Sequence, residues 1–334
     1  MKRKSAVLLA AAGAGGLALA GGAAALRTQR YLRNEYARPD AAAGDDFSAL
    51  DDATHHRIPT YDGGELHVME RGPVSSPPLL LIHGVTLSSL VWRYQLRDLA
   101  GPFRVLALDQ RGHGQSTVGR DGFGLDRLGR DVLAVLEALD LHDAVLVGHS
   151  MGGFAVQKFC IDHPDAARER VAGIVLLHTA CAKLLPVPKQ VLPVVRRAAN
   201  RVTPPRNTSD DAAYLGARFS HGRHALPSQV RLTYQLSSET DVETSVESVL
   251  AFLDMDLRAG LRDVKIPALV IGGSHDRLLP PRHAQLLASS LPNARLEILG
   301  GCGHMGMLER HETVDRLIAA FAAEVGVGGD GVTV

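Results

Sequence analysis

The sequence predicts an α/β fold with a mostly parallel central sheet, helices on both faces and an inserted helical cap. Short apolar runs rich in Val, Leu and Ile alternate with amphipathic helical patterns, which is the order of elements in a parallel sheet buried on both faces. The alternation stops between Cys181 and Arg262, where prolines separate short amphipathic pieces and no convincing strand occurs. A helical insertion between two strands is typical of a lid over the edge of such a sheet.

These patterns divide the chain into an N-terminal segment, a linker, a core, a cap and a tail. The predicted ranges are 1–38 for the N-terminal segment, 39–54 for the linker, 55–180 and 263–325 for the core, 181–262 for the cap and 326–334 for a flexible tail.

Each predicted element follows from its hydrophobic period. Strands are predicted at Glu65–Glu70, Leu79–Ile82, Arg104–Leu108, Ala144–Val147, Val171–Leu177, Ala268–Ile271 and Arg295–Leu299. Helices are predicted at Leu87–Leu99, Leu125–Leu139, Gly152–Asp162, Pro281–Leu291 and Glu312–Val325.

The composition is that of a folded protein without an overall electrostatic bias. The chain has 334 residues, of which 46% are apolar and 22% charged, enough for one large core or two modest domains. Its 36 basic and 36 acidic residues balance, so net charge does not favour nucleic acid as a partner. Cys160, Cys181 and Cys302 lack C-x-x-C or metal-ligand spacing and predict neither a disulfide framework nor a zinc site.

The N-terminal segment combines basic residues with an apolar run. Lys2, Arg3 and Lys4 precede an uncharged stretch over residues 6–26. At about 1.5 Å per residue this stretch is long enough to cross a hydrocarbon core of about 30 Å. It predicts a membrane anchor or an export signal cut after Ala25, and therefore an anchored or exported protein. A disordered leader on a cytoplasmic protein is the alternative, and membrane orientation stays open.

A serine flanked by glycines follows the fourth predicted strand. In VLVGHSMGGF, Gly148 and Gly152 surround Ser150 at the spacing G-x-S-x-G. This spacing suits a strand that turns sharply into a helix and leaves the serine on the turn with its hydroxyl exposed. Because the chain is rich in glycine, the motif alone is weak, and its meaning depends on the residues that a nucleophilic serine needs.

A serine nucleophile needs a base, a group that orients the base, and donors for the oxyanion. Asp276 follows the strand that ends at Ile271, and His304 follows the strand that ends at Leu299. The three residue types come in the order Ser, Asp, His, each after a strand. Other carboxylates near the end of the cap keep the choice of the acid open; these are Asp254, Asp256 and Asp263.

The expected oxyanion donors are two backbone N–H groups. Met151 directly follows the serine at the start of a helix. Val85 lies in the loop after the Leu79–Ile82 strand, where Gly84 allows the backbone to approach a substrate closely.

From about His55 to Val325 the chain resembles enzymes of the α/β-hydrolase fold with a helical cap. Five segments carry the resemblance. LIHGVT resembles the family's oxyanion loop, LDQRGHGQS the loop after the next strand, and GHSMGG the nucleophile elbow. GSHDRLLP resembles the acid loop, and GCGHMGMLERHE resembles the histidine loop. The resemblance implies a Ser150–His304–Asp276 triad and no cofactor or metal. It implies no single substrate, since this frame serves esterases, lipases, thioesterases, carbon–carbon hydrolases and perhydrolases. Serine at position 150 disfavours the epoxide hydrolase and haloalkane dehalogenase branch, which uses aspartate there.

Further residues in these motifs are candidates for a substrate pocket. His83, His149, His178 and Met305 follow predicted strands or lie in the motifs. For His83 and His149, shaping a loop by hydrogen bonding is the stronger interpretation. For Met305, core packing is the better single interpretation, and for the adjacent His55 and His56 a solvated strand edge is favoured over a metal site.

The leading functional hypothesis is a serine hydrolase that cleaves an apolar carboxylic ester through an acyl-enzyme. A carbon–carbon bond hydrolase or a perhydrolase with the same triad is the alternative, and cationic lid groups would favour carbon–carbon cleavage. The candidate lid cations are Arg196, Arg197, Arg201, Arg218, Arg223 and Arg231. A non-catalytic ligand-binding protein of this fold would be expected to have lost a triad member, and none is missing.

Overall fold

A mostly parallel sheet of eight strands organises the computed structural model, which describes residues 21–182, 210–253 and 255–327. The strands are β1 Thr54–Pro59, β2 Glu65–Arg71, β3 Pro78–Ile82, β4 Arg104–Asp109, β5 Ala144–His149, β6 Val171–Leu177, β7 Ala268–Gly273 and β8 Ala294–Leu299. Their order across the sheet is β1-β2-β4-β3-β5-β6-β7-β8. β2 pairs antiparallel with β1 and β4, and the other neighbouring strands are parallel. The predicted fold class is confirmed.

Helices cover both faces of the sheet and form the described part of the cap. They are α1 Gly21–Tyr36, α2 Arg93–Asp98, α3 Leu125–Ala138, α4 Met151–Asp162, α5 Pro164–Arg170, α6 Asp210–Phe219, α7 Pro227–Glu239, α8 Val242–Phe252, α9 Arg258–Leu261, α10 Pro281–Ser290, α11 Gly306–Glu309 and α12 His311–Glu324. Two short 3-10 helices lie at Ser48–Asp52 and Ser89–Trp92.

Continuous apolar runs form the central strands because both of their faces are buried. In β3, Leu80 and Ile82 join one apolar core, while Leu79 and Leu81 join the core on the opposite face. All four side chains are fully buried. The alternation of side chains across a strand therefore supplies both helix layers with apolar contacts from one short run.

The structure differs from the predicted elements where the sequence is polar or where packing sets the helix type. The edge strand β1, with the sequence THHRIP, is not among the strands predicted from hydrophobic period, because most of its side chains are exposed or half-buried; it includes His55 and His56, for which a solvated strand edge was favoured. The helix predicted at Leu87–Leu99 is divided into the 3-10 helix and α2. Between Cys181 and Arg262 the described residues contain helices and no strand.

The predicted location, anchored or exported, is contradicted. Within the described residues, no helix is long and apolar enough to cross a bilayer, and residues 6–20 of the run lie outside them. α1 contains the end of the run and continues into a polar half that packs on the protein itself. There Leu32 is buried against Tyr214 and Val230 of the cap.

The N-terminal residues are tied to the cap by side-chain hydrogen bonds as well. Glu35 accepts a hydrogen bond from Arg218 at 3.1 Å. Asp40, in the predicted linker, accepts hydrogen bonds from the backbone N–H of Ser228 at 2.6 Å and from its hydroxyl at 2.9 Å. Since Ser228 lies in the first turn of α7, Asp40 satisfies a donor that the helix leaves free at its N-terminus.

Candidate active site

Ser150 lies on a strained turn between β5 and α4. Its backbone has φ 52° and ψ −114°, a left-handed conformation that is uncommon for residues other than glycine. The backbone is held by the Ser150 N–H, which donates to the carbonyl of Leu177 at 3.1 Å, and by the Thr179 hydroxyl, which donates to the carbonyl of Ser150 at 2.7 Å. A Cβ on Gly152 would meet the carbonyl oxygen of Ile82, so the turn requires a residue without a side chain there.

Asp276 and His304 form a buried pair at the same edge of the sheet. His304 Nδ1 donates to Asp276 Oδ2 at 2.8 Å. The other carboxylate oxygen accepts the backbone N–H groups of Leu278 and Leu279, at 2.9 and 2.8 Å. Burial alone would raise the pKa of Asp276, but the His304 charge and the imidazole hydrogen bonds outweigh it and hold that pKa well below its usual range. Asp276 is therefore ionised over the whole physiological range.

A second imidazole approaches the same carboxylate oxygen. His178 Nδ1 lies 3.3 Å from Asp276 Oδ2, and both side chains are fully buried. Like Ser150, His178 has a left-handed backbone, with φ 46°, directly after β6. Ligand atoms of His178, Asp276 and His304 lie within 4.8 Å of one another, so they also satisfy the geometry of a metal-ligand set. A metal there would compete with the Asp276–His304 hydrogen bond.

His149 connects the serine turn to the histidine loop. Its Nε2–H donates to the backbone carbonyl of His304 at 2.9 Å. Burial, with the nearby His304 and His178, lowers the pKa of His149 well below the ordinary histidine value. His149, next to Ser150 in the chain, is therefore neutral, and its hydrogen bond holds the backbone of His304 in place.

His83 shapes the loop that contains Val85. Its Nδ1–H donates to the carbonyl of Gly84 at 2.6 Å, and its Nε2 accepts the backbone N–H of Gln110 at 3.0 Å. A Cβ on Gly84 would lie 3.1 Å from the Cβ of Ser150, so this loop packs directly on the serine turn. Among the described residues, no partner is found for the N–H of Val85 or of Met151.

The cap contacts the histidine loop through its backbone. The His304 N–H donates to the carbonyl of Ser220 at 2.6 Å. The Glu309 carboxylate accepts the N–H of Gly222 in the cap at 2.8 Å and the N–H of Gly303 in the loop at 3.1 Å. The position of His304 thus depends on the cap as well as on the sheet.

Met305, the alternative acids and three of the lid arginines take no part in the contacts described for this site. Met305 is buried in an apolar core. Of the alternative acids, Asp254 lies outside the described residues, Asp256 pairs with Arg258 at 2.6 Å, and Asp263 is exposed. The lid arginines at positions 196, 197 and 201 also lie outside the described residues.

Sequence reasoning missed the residues that support this site. Thr179, Ser220 and Glu309 act through the backbone atoms that they hold. Glu309 lies within the motif GCGHMGMLERHE, but the motif assigns it no role, and the partners of Thr179 and Ser220 are distant in the chain. Only the position of Thr179 just after a predicted strand gave a signal.

An eight-stranded sheet with a serine on a strained turn and a buried Asp–His pair at the same edge is the arrangement of α/β-hydrolase enzymes. The model of the alpha/beta hydrolase fold family matches residues 77–311, and the chain belongs to this family.

Two similar curated proteins are named as peroxidases or perhydrolases. A non-heme chloroperoxidase from Streptomyces lividans is 32% identical over 276 residues, which cover 77% of this chain and 95% of that protein. A bifunctional esterase/perhydrolase from Acinetobacter calcoaceticus is 28% identical, with coverage of 79% and 98%.

Similar solved structures include an esterase and another hydrolase. An esterase from Thermogutta terrifontis aligns with a TM-score of 0.71 at 25% identity, over 82% of this chain and 99% of that one. A hydrolase from Pseudomonas aeruginosa aligns with a TM-score of 0.68 at 28% identity, over 80% and 98%.

Proposed function

We propose that this protein is a serine hydrolase that cleaves carboxylic esters through a Ser150–His304–Asp276 triad. The observation that carries the proposal is the strained backbone of Ser150, with φ 52°, at the same edge of the sheet as a buried Asp–His pair. A strained conformation persists only where the surrounding structure enforces it, and such residues concentrate at active sites.

In the proposed reaction, His304 acts as general base and then as general acid. Because its Nδ1–H is donated to Asp276, Nε2 is the nitrogen that accepts the Ser150 proton as Oγ attacks the ester carbonyl. His304 then protonates the leaving alcohol, and an acyl-serine ester remains. A water molecule, deprotonated by His304, attacks this ester and releases the acid and the free serine.

The proposed oxyanion donors are the N–H groups of Met151 and Val85. Met151 is the first residue of α4, where backbone N–H groups have no partner within the helix and the helix dipole favours negative charge. Two such donors stabilise a tetrahedral intermediate by several kcal/mol, at about 3 kcal/mol or more for one donor.

Perhydrolysis is a second candidate, favoured by the chloroperoxidase and perhydrolase relatives. It uses the same acyl-serine, which hydrogen peroxide attacks in place of water, so that the products are a peroxyacid and the free serine.

Carbon–carbon cleavage has no such support. Among the described lid cations, Arg218 is engaged by Glu35 and by the carbonyls of His221 and Gly222.

The direct test is hydrolysis of a p-nitrophenyl ester series from acetate to palmitate by the full-length protein. Ser150→Ala is the test variant, and Ser289→Ala, at an exposed serine of α10, is the matched control. We expect Ser289→Ala to retain wild-type turnover and Ser150→Ala to lose about 10³-fold or more in kcat. Equal rates for wild type and Ser150→Ala on every ester would contradict the proposal. Peroxyacid formation from acetate and hydrogen peroxide, again lost in Ser150→Ala, would add the second activity.

A further inference from the structure

A second cluster of potential metal ligands lies outside the triad, between α2 and α12. It consists of Asp98, the last residue of α2, with His311 and Asp315 in the first turns of α12. The spacing of four residues between His311 and Asp315 places both side chains on one face of the helix. The ester hydrolase proposal uses none of the three residues.

The three side chains are arranged as ligands of one ion. One carboxylate oxygen of each aspartate and one ring nitrogen of His311 lie within 4.8 Å of one another. His311 Nδ1 is 3.8 Å from Asp98 Oδ2. Tetrahedral zinc ligands at about 2.0–2.2 Å from the ion lie about 3.3 Å apart, so small side-chain rotations would close the set.

Buried atoms of this cluster have no hydrogen-bond partner within the described residues. Asp315 is 1% exposed; its Oδ1 accepts the side-chain amide of Gln95 at 2.7 Å, while its Oδ2 accepts nothing. Nδ1 of His311 is also buried without a hydrogen bond. A buried polar atom without a partner is costly, and a buried carboxylate without a cation more so.

The surroundings restrain the imidazole and add negative charge. The ring of His311 stacks on Tyr94 at 3.9 Å between centroids, with 8° between the planes. The carboxylates of Asp98 and Asp315 both belong to this cluster, and among the described residues no cation is paired with Asp315. Arg97 donates to both carboxylate oxygens of Asp98, at 2.6 and 3.0 Å, but both side chains are 28% exposed, so water screens this pair. A cation between the carboxylates would supply the missing compensation.

We propose that Asp98, His311 and Asp315 bind one divalent transition-metal ion, and that Zn²⁺ fits them best. Two carboxylates and one imidazole are oxygen and nitrogen ligands that Zn²⁺ accepts, and a water molecule would complete four-coordination. Bound there, the ion joins α2 to α12 and stabilises the folded state.

The test is titration of chelator-treated full-length protein with ZnCl₂, followed by calorimetry and by thermal unfolding. His311→Asn and Asp315→Asn remove ligands. His142→Asn, at an exposed histidine elsewhere, is the matched control, and His304→Ala removes the competing set in the candidate active site. We expect one equivalent of Zn²⁺ and a rise in Tm for wild type, His142→Asn and His304→Ala. Affinity is expected to fall about 100-fold in His311→Asn and Asp315→Asn.

Three results would overturn the proposal. Binding that is lost in His304→Ala would assign the ion to the candidate active site. Binding unchanged in both ligand variants would place it elsewhere. No binding, together with a higher Tm of metal-free Asp315→Asn, would mean that Asp315 is simply a buried protonated acid. Since the readouts are binding and Tm, none depends on ester hydrolysis.

Discussion

Two buried aspartates in this protein have similar hydrogen-bond partners, yet only one of them lies at the candidate active site. Asp276 binds His304 Nδ1 at 2.8 Å and accepts two backbone N–H groups. Asp109, the last residue of β4, binds His67 Nδ1 at 2.7 Å and accepts the N–H groups of Ser89 and Gln115 at 2.5 and 3.0 Å. In both, burial would raise the pKa of the carboxyl, but nearby histidines lower it instead, and at Asp109 the backbone donors add to this lowering.

The two Asp–His pairs differ in the further contacts that each histidine makes. His67 Nε2 is 2.7 Å from Nδ1 of His55, an exposed residue of the edge strand β1. The backbone of His304 is held by His149, the neighbour of Ser150 in the chain. An Asp–His pair is therefore no sign of catalysis by itself; what distinguishes Asp276 and His304 is that they lie at the same edge of the sheet as the strained Ser150 turn.

The largest expected effect is a difference in kcat between variants of Asp276 and Asp109. Asp276→Asn keeps the shape of the pair but loses the charge that orients and stabilises the His304 imidazole, so kcat for ester hydrolysis should fall about 10³–10⁴-fold. Asp109→Asn should retain kcat within about threefold while lowering the free energy of unfolding by about 1–3 kcal/mol. Steady-state kinetics and urea unfolding of both variants check this. Similar losses of kcat in the two would remove the distinction.

A smaller effect is expected at His178, which has no counterpart at Asp109. Losing its contact to Asp276 Oδ2 in His178→Leu should lower kcat about tenfold with little change in KM. His178→Asn, which tolerates the left-handed backbone and keeps a donor, should recover most of that loss. If both variants show wild-type kcat, the contact has no part in the reaction.

The last expected effect is on stability in acid, and it is shared by both regions. Burial, with the charge of His83, lowers the pKa of His113 from 6.5 to about 4; burial also lowers those of His83, His149 and His221. Below about pH 6.5 the unfolded chain binds protons that the folded protein refuses, so stability is full above that pH and is lost towards pH 4.

For His113 this loss is up to about 3 kcal/mol. Urea unfolding at pH 7.5 and 4.5 should show the decrease, and His113→Gln should make the two values more alike than in wild type. An equal decrease in wild type and His113→Gln would refute this assignment.

Much of this could be predicted from the sequence, because apolar runs and residue order are local signals. The runs around Leu79–Ile82 and Val171–Leu177 locate the sheet, and the order of Ser150, Asp276 and His304 after strands locates the candidate triad. The second contact at Asp276 was not predictable, since it depends on how β6 and β7 bring distant residues together. The hydrophobicity of the N-terminal run also gives no sign that Leu32, just beyond it, packs on the cap.

The most direct test of the central claim is covalent labelling with a fluorophosphonate, followed by intact mass and peptide mapping. The account predicts a single adduct on Ser150, formed at similar rates in wild type and Asp109→Asn. Labelling should be at least about 100-fold slower in Asp276→Asn and absent in Ser150→Ala. An adduct on another residue, or equal labelling of wild type and Ser150→Ala, would contradict it.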